Sequence, residues 1–194
     1  MRKVAVIATA SGCGKTTFGQ ALARALGVPF VELDAIHWQA GWTELDAEAL
    51  RLRVEPLVER DSWVIDGSYR GKLGDLVLER ADTVVWLDLP RRVWFPRLVL
   101  RTVRRAITRE ELWNGNRESL RSAFAHSDSL LRFALDNDRS RRHRYPRELA
   151  RFRVARLRTQ AEVDAFLRSA RRRERSSATH AAPRSPSQMG VSTT

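Results

Sequence analysis

Residues 11–17, SGCGKTT, directly follow an apolar run and carry the chain's most specific chemical signal. Gripping a polyphosphate needs backbone N–H groups turned toward an anion, glycines where side chains would block the approach, and a helix N-terminus behind them. Gly12 and Gly14 permit the tight turn, Lys15 can reach the β and γ phosphates, and the Thr16 hydroxyl can ligate Mg²⁺. Ser11, Gly12, Cys13, Gly14, Lys15, Thr16 and Thr17 are therefore the candidate nucleotide-binding set. One position departs from the pattern G-x-x-x-x-G-K-[ST]: Thr9 stands where its first glycine falls, which a negative φ would allow. The alternative is a purely structural glycine turn. Lys15 is informative because the chain holds 32 arginines and only 3 lysines, a bias that codon composition would explain.

Such a loop must sit between a buried strand and a helix, and the flanking sequence supplies both. VAVIAT (4–9), PFVEL (29–33), SWVID (62–66), TVVWLDL (83–89) and FRVARL (152–157) read as strands, several of them continuously apolar as expected for a sheet covered on both faces. Helical spacing fills the intervals. TTFGQALARALG ends in Gly27 before Pro29, a stop signal. TELDAEALRLRVEPLVERD offers Thr43 as N-cap with Asp46 three residues on, and Pro56 should kink that helix or end its first part. Strands alternating with helices predict a parallel sheet with right-handed crossovers.

At 194 residues the chain suits one α/β domain, with 43% hydrophobic and 30% charged residues. No apolar run reaches the ~18–20 residues that span a bilayer. The N-terminal MRKVAVIATASGCGK reads as a first strand rather than a leader, and Cys13, the only cysteine, excludes an intramolecular disulfide; a cytoplasmic location is the expectation. From about Arg171 the Ser-, Pro- and Arg-rich composition predicts a disordered tail, 171–194. The net charge of +12 divides into −3 over residues 1–90 and +15 over 91–194. Such an excess could attract nucleic acid or a polyanionic small molecule.

Joined together, SGCGKTT, ELDAIHWQAGW (32–42), WVIDGSYR (63–70) and WLDLPRR (86–92) make residues 1 to about 168 resemble small bacterial P-loop kinases related to adenylate kinase, some of them called DNA topology modulation proteins. The resemblance implies a three-layer αβα fold with strand order 2-3-1-4-5. It also implies ATP and Mg²⁺ at the loop, an acceptor site opposite, and an arginine-bearing helical lid at about 109–147.

By the same resemblance DGSYR matches the DGFPR element of adenylate kinases in Asp66, Gly67 and Arg70. Asp66 would orient Mg²⁺-bound water, so that Thr16 and Asp66 form the metal site, and Arg70 would hold an acceptor phosphate; a carboxylate capping a turn is the plainer reading of Asp66. Asp34 ends the second strand, where open α/β sheets bind ligands, and would orient or deprotonate an acceptor hydroxyl. His37, Trp38 and Trp42 could stack on a base or sugar, or pack a small subdomain. In the helix after Pro90, Arg97, Arg101, Arg104 and Arg105 share one face. Arg101 and Arg105 fit a paired phosphate- and base-contacting position, although a solvated basic face would look the same.

By the resemblance, DNDRSRRHRYPRE supplies Arg139, Arg141, Arg142, Arg144 and Arg147 as lid arginines that would neutralise charge on the transferred phosphoryl group, Arg139 being the expected catalytic one. Asn114, Gly115 and Asn116 suggest a turn in the lid connection. The expected activity is ATP-dependent phosphoryl transfer to a small acceptor, a nucleoside monophosphate first, a hydroxylated metabolite second. The rival is a nucleic-acid-associated NTP-binding protein without such an acceptor.

Overall fold

The apolar run after Lys3 forms the central strand of the sheet because both of its faces are covered. In the computed structural model, which describes residues 1–117 and 130–181, β1 (Lys3–Ala8) pairs in parallel with β3 (Trp63–Asp66) and β4 (Thr83–Leu87). The edges are β2 (Phe30–Glu32) and β5 (Val154–Leu157), giving an all-parallel order 2-3-1-4-5, as expected. The registers Val6↔Asp66, Glu32↔Asp66 and Ala8↔Leu87 align the carboxyl ends of the strands, and the residues that follow them form one rim.

Side chains of β1 alternate between two cores, as the two-residue period of a strand requires. Val4, Val6 and Ala8 pack with Phe18 and Leu22 of α1 (Lys15–Leu26), Trp94 and Leu98 of α6 (Arg91–Thr108), and Val163 of α8 (Gln160–Ala181). Ala5 and Ile7 pack on the other face with Leu50, Val54 and Val58 of α3 (Ala47–Val58), Leu73 of α4 (Arg70–Leu73) and Val77 of α5 (Leu76–Glu79). Helix α7 (Leu130–Glu148) contributes Ala134 to the first core and Tyr145 to the second, so it crosses over the sheet's carboxyl rim. Between β2 and α3 lie the short α2 (Leu33–His37) and an antiparallel ribbon, Trp38–Gln39 with Thr43–Glu44.

Three local expectations need correction. The N-cap of α3 is Asp46, whose carboxylate accepts the Ala49 N–H at 2.7 Å, while Thr43 is held in the ribbon. Pro56 lies in the last turn of α3, which runs through it to Val58 without a break. The composition boundary at Arg171 falls inside α8, which continues to Ala181; the remainder of the expected tail, and residues 118–129 of the expected lid, lie outside the described residues. No helix among the described residues is long and apolar enough to cross a membrane.

Candidate active site

Gly12 and Gly14 adopt φ of +85° and +83°, and Gly14 caps the N-terminus of α1. A Cβ on Gly12 would lie 2.6 Å from the Trp94 carbonyl oxygen and 2.9 Å from Leu98 Cβ, so this glycine is demanded by α6 as well as by the turn. The non-glycine Thr9 is accommodated because its φ is not positive and its side chain faces the sheet, not the loop. The Thr9 hydroxyl is fully buried, donates to Asp88 Oδ1 at 2.9 Å, and accepts the Trp86 indole N–H at 3.1 Å. Asp88 is in turn clamped by Arg156 and Arg142, each at 2.5 Å. A buried polar knot thus anchors the start of the loop in place of the missing glycine.

At the other end of the loop, Lys15 Nζ donates to Asp66 Oδ1 at 2.7 Å and Thr16 Oγ1 lies 2.7 Å from Asp66 Oδ2. Burial alone would lower the Lys15 pKa, but Asp66 and Asp34 outweigh it and hold the ammonium above its ordinary value. Thr16 Oγ1 also lies 3.1 Å from Glu32 Oε1. Burial pushes the Glu32 carboxyl up, the polar groups of the Trp113 and Thr16 side chains pull it down, and the Asp66 and Asp34 charges add to the upward push. Two carboxylates therefore converge on one hydroxyl, an all-oxygen donor set that suits a hard divalent cation such as Mg²⁺, whose charge would relieve their repulsion.

All seven loop residues line one open cleft of 2370 Å³. That exceeds the ~300–1,000 Å³ of a single small-ligand pocket and leaves room for two ligands. The same cleft holds Asp34, which accepts the Tyr69 hydroxyl on Oδ1 at 2.5 Å, with Tyr69 in the left-handed region at φ 44°. Burial and the Asp34 charge push the Tyr69 phenol far up, so it stays a donor. His37 is buried against Tyr69, ring centroids 4.5 Å apart, and Trp38 and Trp42 meet edge to face at 5.5 Å.

Of the residues singled out in the sequence, Lys15, Thr16, Asp34, Arg70, Arg101 and Arg105 line the cleft, Asp66 is buried behind Lys15 and Thr16, and Arg139 is not part of it. Arg139 lies with Arg91 and His143 in a separate surface depression, because α7 turns its inward face two residues later. From that face Arg141 Nη1 donates to the Ala8 carbonyl at 3.2 Å and lines the cleft along with Arg144. Arg70 reaches the cleft already held by two carboxylates, Asp75 Oδ1 and Glu148 Oε2, both at 2.5 Å, so its charge is met within the fold instead of standing ready for an acceptor phosphate. The sequence reading assigns no role to Glu32 or Trp113, and places Arg141 only among the lid arginines. For Glu32 the E-x-D pairing with Asp34 at the end of a strand is the signal available in the sequence; Trp113 offers none beyond the adjacent Asn-Gly-Asn turn.

The family model for shikimate kinase matches residues 11–43, from the phosphate loop through the start of the Thr43–Glu44 strand. No curated protein matches the chain. Among solved structures, a shikimate kinase from Bacteroides thetaiotaomicron aligns with TM-score 0.52 at 19% identity, covering 89% of this chain and 98% of that one. A gluconokinase from Sinorhizobium meliloti 1021 gives 0.52 at 21% identity over 93% and 98%. A shikimate kinase from Acinetobacter baumannii, solved with shikimate, gives 0.53 at 17% identity over 94% and 97%. The chain therefore has the α/β fold found in P-loop small-molecule kinases.

Proposed function

We propose that the protein is an ATP-dependent phosphotransferase that moves the γ-phosphoryl group to a hydroxyl of a small acceptor. The observation that carries this reading is the convergence of Lys15, Thr16, Glu32 and Asp66 at one end of the phosphate loop, with Asp34 in the same cleft. Lys15 and the loop amides would hold the β and γ phosphates. Thr16, Glu32 and Asp66 would hold Mg²⁺, directly or through water, and the ion supplies neutralisation of charge on the phosphate oxygens.

In the transfer, an acceptor oxygen forms a bond to the γ phosphorus as the bond to the β-bridging oxygen breaks and ADP leaves. The hydroxyl proton passes to Asp34, whose Oδ2 carries no hydrogen bond among the described residues while Tyr69 steadies Oδ1. Arg101, Arg105 and Arg141 line the same cleft and would meet the remaining phosphate charge.

A hydroxylated acceptor is favoured over a nucleoside monophosphate because the cleft around Asp34 offers carboxylates and tryptophans, while Arg70 is already paired. The monophosphate stays a second reading because Arg70 does line the cleft. The nucleic-acid reading rests on exposed arginines such as Arg168, Arg171, Arg172 and Arg173 of α8, which lie apart from the cleft.

The test is ADP release from Mg·ATP and Mg·GTP in the presence of shikimate, gluconate, deoxyadenosine or AMP, alongside calorimetry of nucleotide binding. ADP formation dependent on a hydroxylated compound is the expected result. Folded protein that binds neither nucleotide would overturn the phosphotransferase reading.

A further inference from the structure

The segment after α6 folds back on itself: Glu111 and Arg117 form a β-bridge, the Leu112 N–H donates to the Asn116 carbonyl at 2.7 Å, and the Asn116 N–H to the Trp113 carbonyl at 3.2 Å. This hook is fastened to the acceptor side of the cleft, more than 70 residues earlier in the chain. Asn114 Nδ2 donates to the Trp38 carbonyl at 2.5 Å. Asn116, 4% exposed, donates through Nδ2 to the Gln39 carbonyl and accepts the Trp42 N–H on Oδ1, both at 2.8 Å. The Trp42 indole adds a bond to the Arg117 carbonyl at 3.3 Å.

These bonds hold two residues in left-handed conformations that non-glycine residues adopt at a cost, Trp42 at φ 58° and Asn114 at φ 55°. What they achieve is the placement of Trp113. Its ring extends the Trp38–Trp42 pair, meeting Trp42 edge to face at 6.5 Å. Trp42, Trp113 and Glu32 all line the cleft.

We infer that the hook Glu111–Arg117 is a fixed wall on the acceptor side of the cleft, not a part that moves with nucleotide, and that Trp113 is a specificity-determining residue for the acceptor. The hook supplies a third tryptophan to a wall that the 38–44 ribbon cannot complete alone. The specificity role rests on the phosphotransferase reading; the fixed attachment does not.

Two measurements on the full chain separate them. In amide hydrogen exchange, Trp42 should be protected equally with and without the non-hydrolysable analogue Mg·AMP-PNP, and Asn116→Ala should speed its exchange by about tenfold or more. A nucleotide-dependent change at Trp42, or no effect of Asn116→Ala, overturns the fixed wall.

In turnover with whichever of shikimate, gluconate, deoxyadenosine or AMP the wild type phosphorylates, Asn114→Ala and Trp113→Leu should raise the acceptor KM about tenfold while the Mg·ATP KM stays within about threefold. Trp113→Phe, which keeps a ring but loses the N–H, guards against misfolding of the leucine variant. Both KM values rising together, or neither, overturns the specificity role. A wild-type chain that phosphorylates none of the four refutes the specificity role along with the phosphotransferase reading, and the exchange result still decides the wall.

Discussion

Lys15 Nζ sits 2.7 Å from Asp66 Oδ1, so the cation of the phosphate loop is oriented by a carboxylate at the end of the neighbouring strand. The Asp66 side chain is 1% exposed and that of Lys15 25%. The partner of each is thus set before any phosphate arrives, and an incoming anion meets a lysine already in place.

Lys15→Met leaves Asp66 buried with only the Thr16 hydroxyl for company. Turnover should fall by about a hundredfold or more, and stability by about 1–3 kcal/mol because a buried carboxylate loses its counter-ion. ADP release and thermal melting of the variant check the two effects separately. Retained turnover would show that Lys15 does not act on the phosphates.

Thr9 gives a prediction opposite to what pattern-matching suggests. Thr9→Gly restores the first glycine of the motif yet removes the hydroxyl that bridges Asp88 and the Trp86 indole in the buried knot. The variant should be less stable by about 2 kcal/mol, whereas Thr9→Ser should be close to wild type. Denaturant melts of the pair decide it; a glycine variant as stable as the parent would mean the knot is merely tolerated.

That contrast marks how far the site could be read in sequence. Strand, glycines, lysine and helix fall within about two dozen residues, so the loop is a local feature and its pattern survives in one dimension. The same holds for the five strands, whose unbroken apolar runs follow from burial on both faces. Glu32 was not legible because its significance depends on sharing the Thr16 hydroxyl, 16 residues away, with Asp66 of another strand. Arg139 and Arg141 stand two positions apart on an arginine-rich helix and point to different surfaces. Only the packing of α7 across the sheet's rim, decided by Ala134 and Tyr145, selects between them. Arg70 fitted its motif in sequence, but its pairing with Glu148 arises from a helix 78 residues downstream.

The two loop glycines should fail differently. Gly12→Ala must displace the α6 backbone at Trp94 in addition to straining a φ of +85°, whereas a Cβ on Gly14 meets nothing within 4 Å. Gly14→Ala should therefore cost about 1 kcal/mol from backbone conformation alone. Gly12→Ala should cost more, about 2–4 kcal/mol. Equal melting temperatures for the two variants would contradict the contact with α6.

His37 predicts a pH dependence of stability near neutrality. Its ring is 2% exposed and packed on Trp38 at 5.0 Å and Tyr69 at 4.5 Å. Burial, with Lys72 nearby, holds its pKa below the ordinary value, although Glu44, 3.4 Å from Nε2, and Asp34 pull the other way. A lowered pKa in the folded state means that the unfolded chain takes up the proton first. The stabilisation from keeping His37 neutral is complete above about pH 6.5, the value for an unperturbed histidine, and is lost as pH falls from there toward the folded pKa. Wild-type melting temperature should drop between about pH 7 and pH 5, and His37→Leu should show a smaller drop over the same interval. An unchanged slope would mean that the proton enters elsewhere.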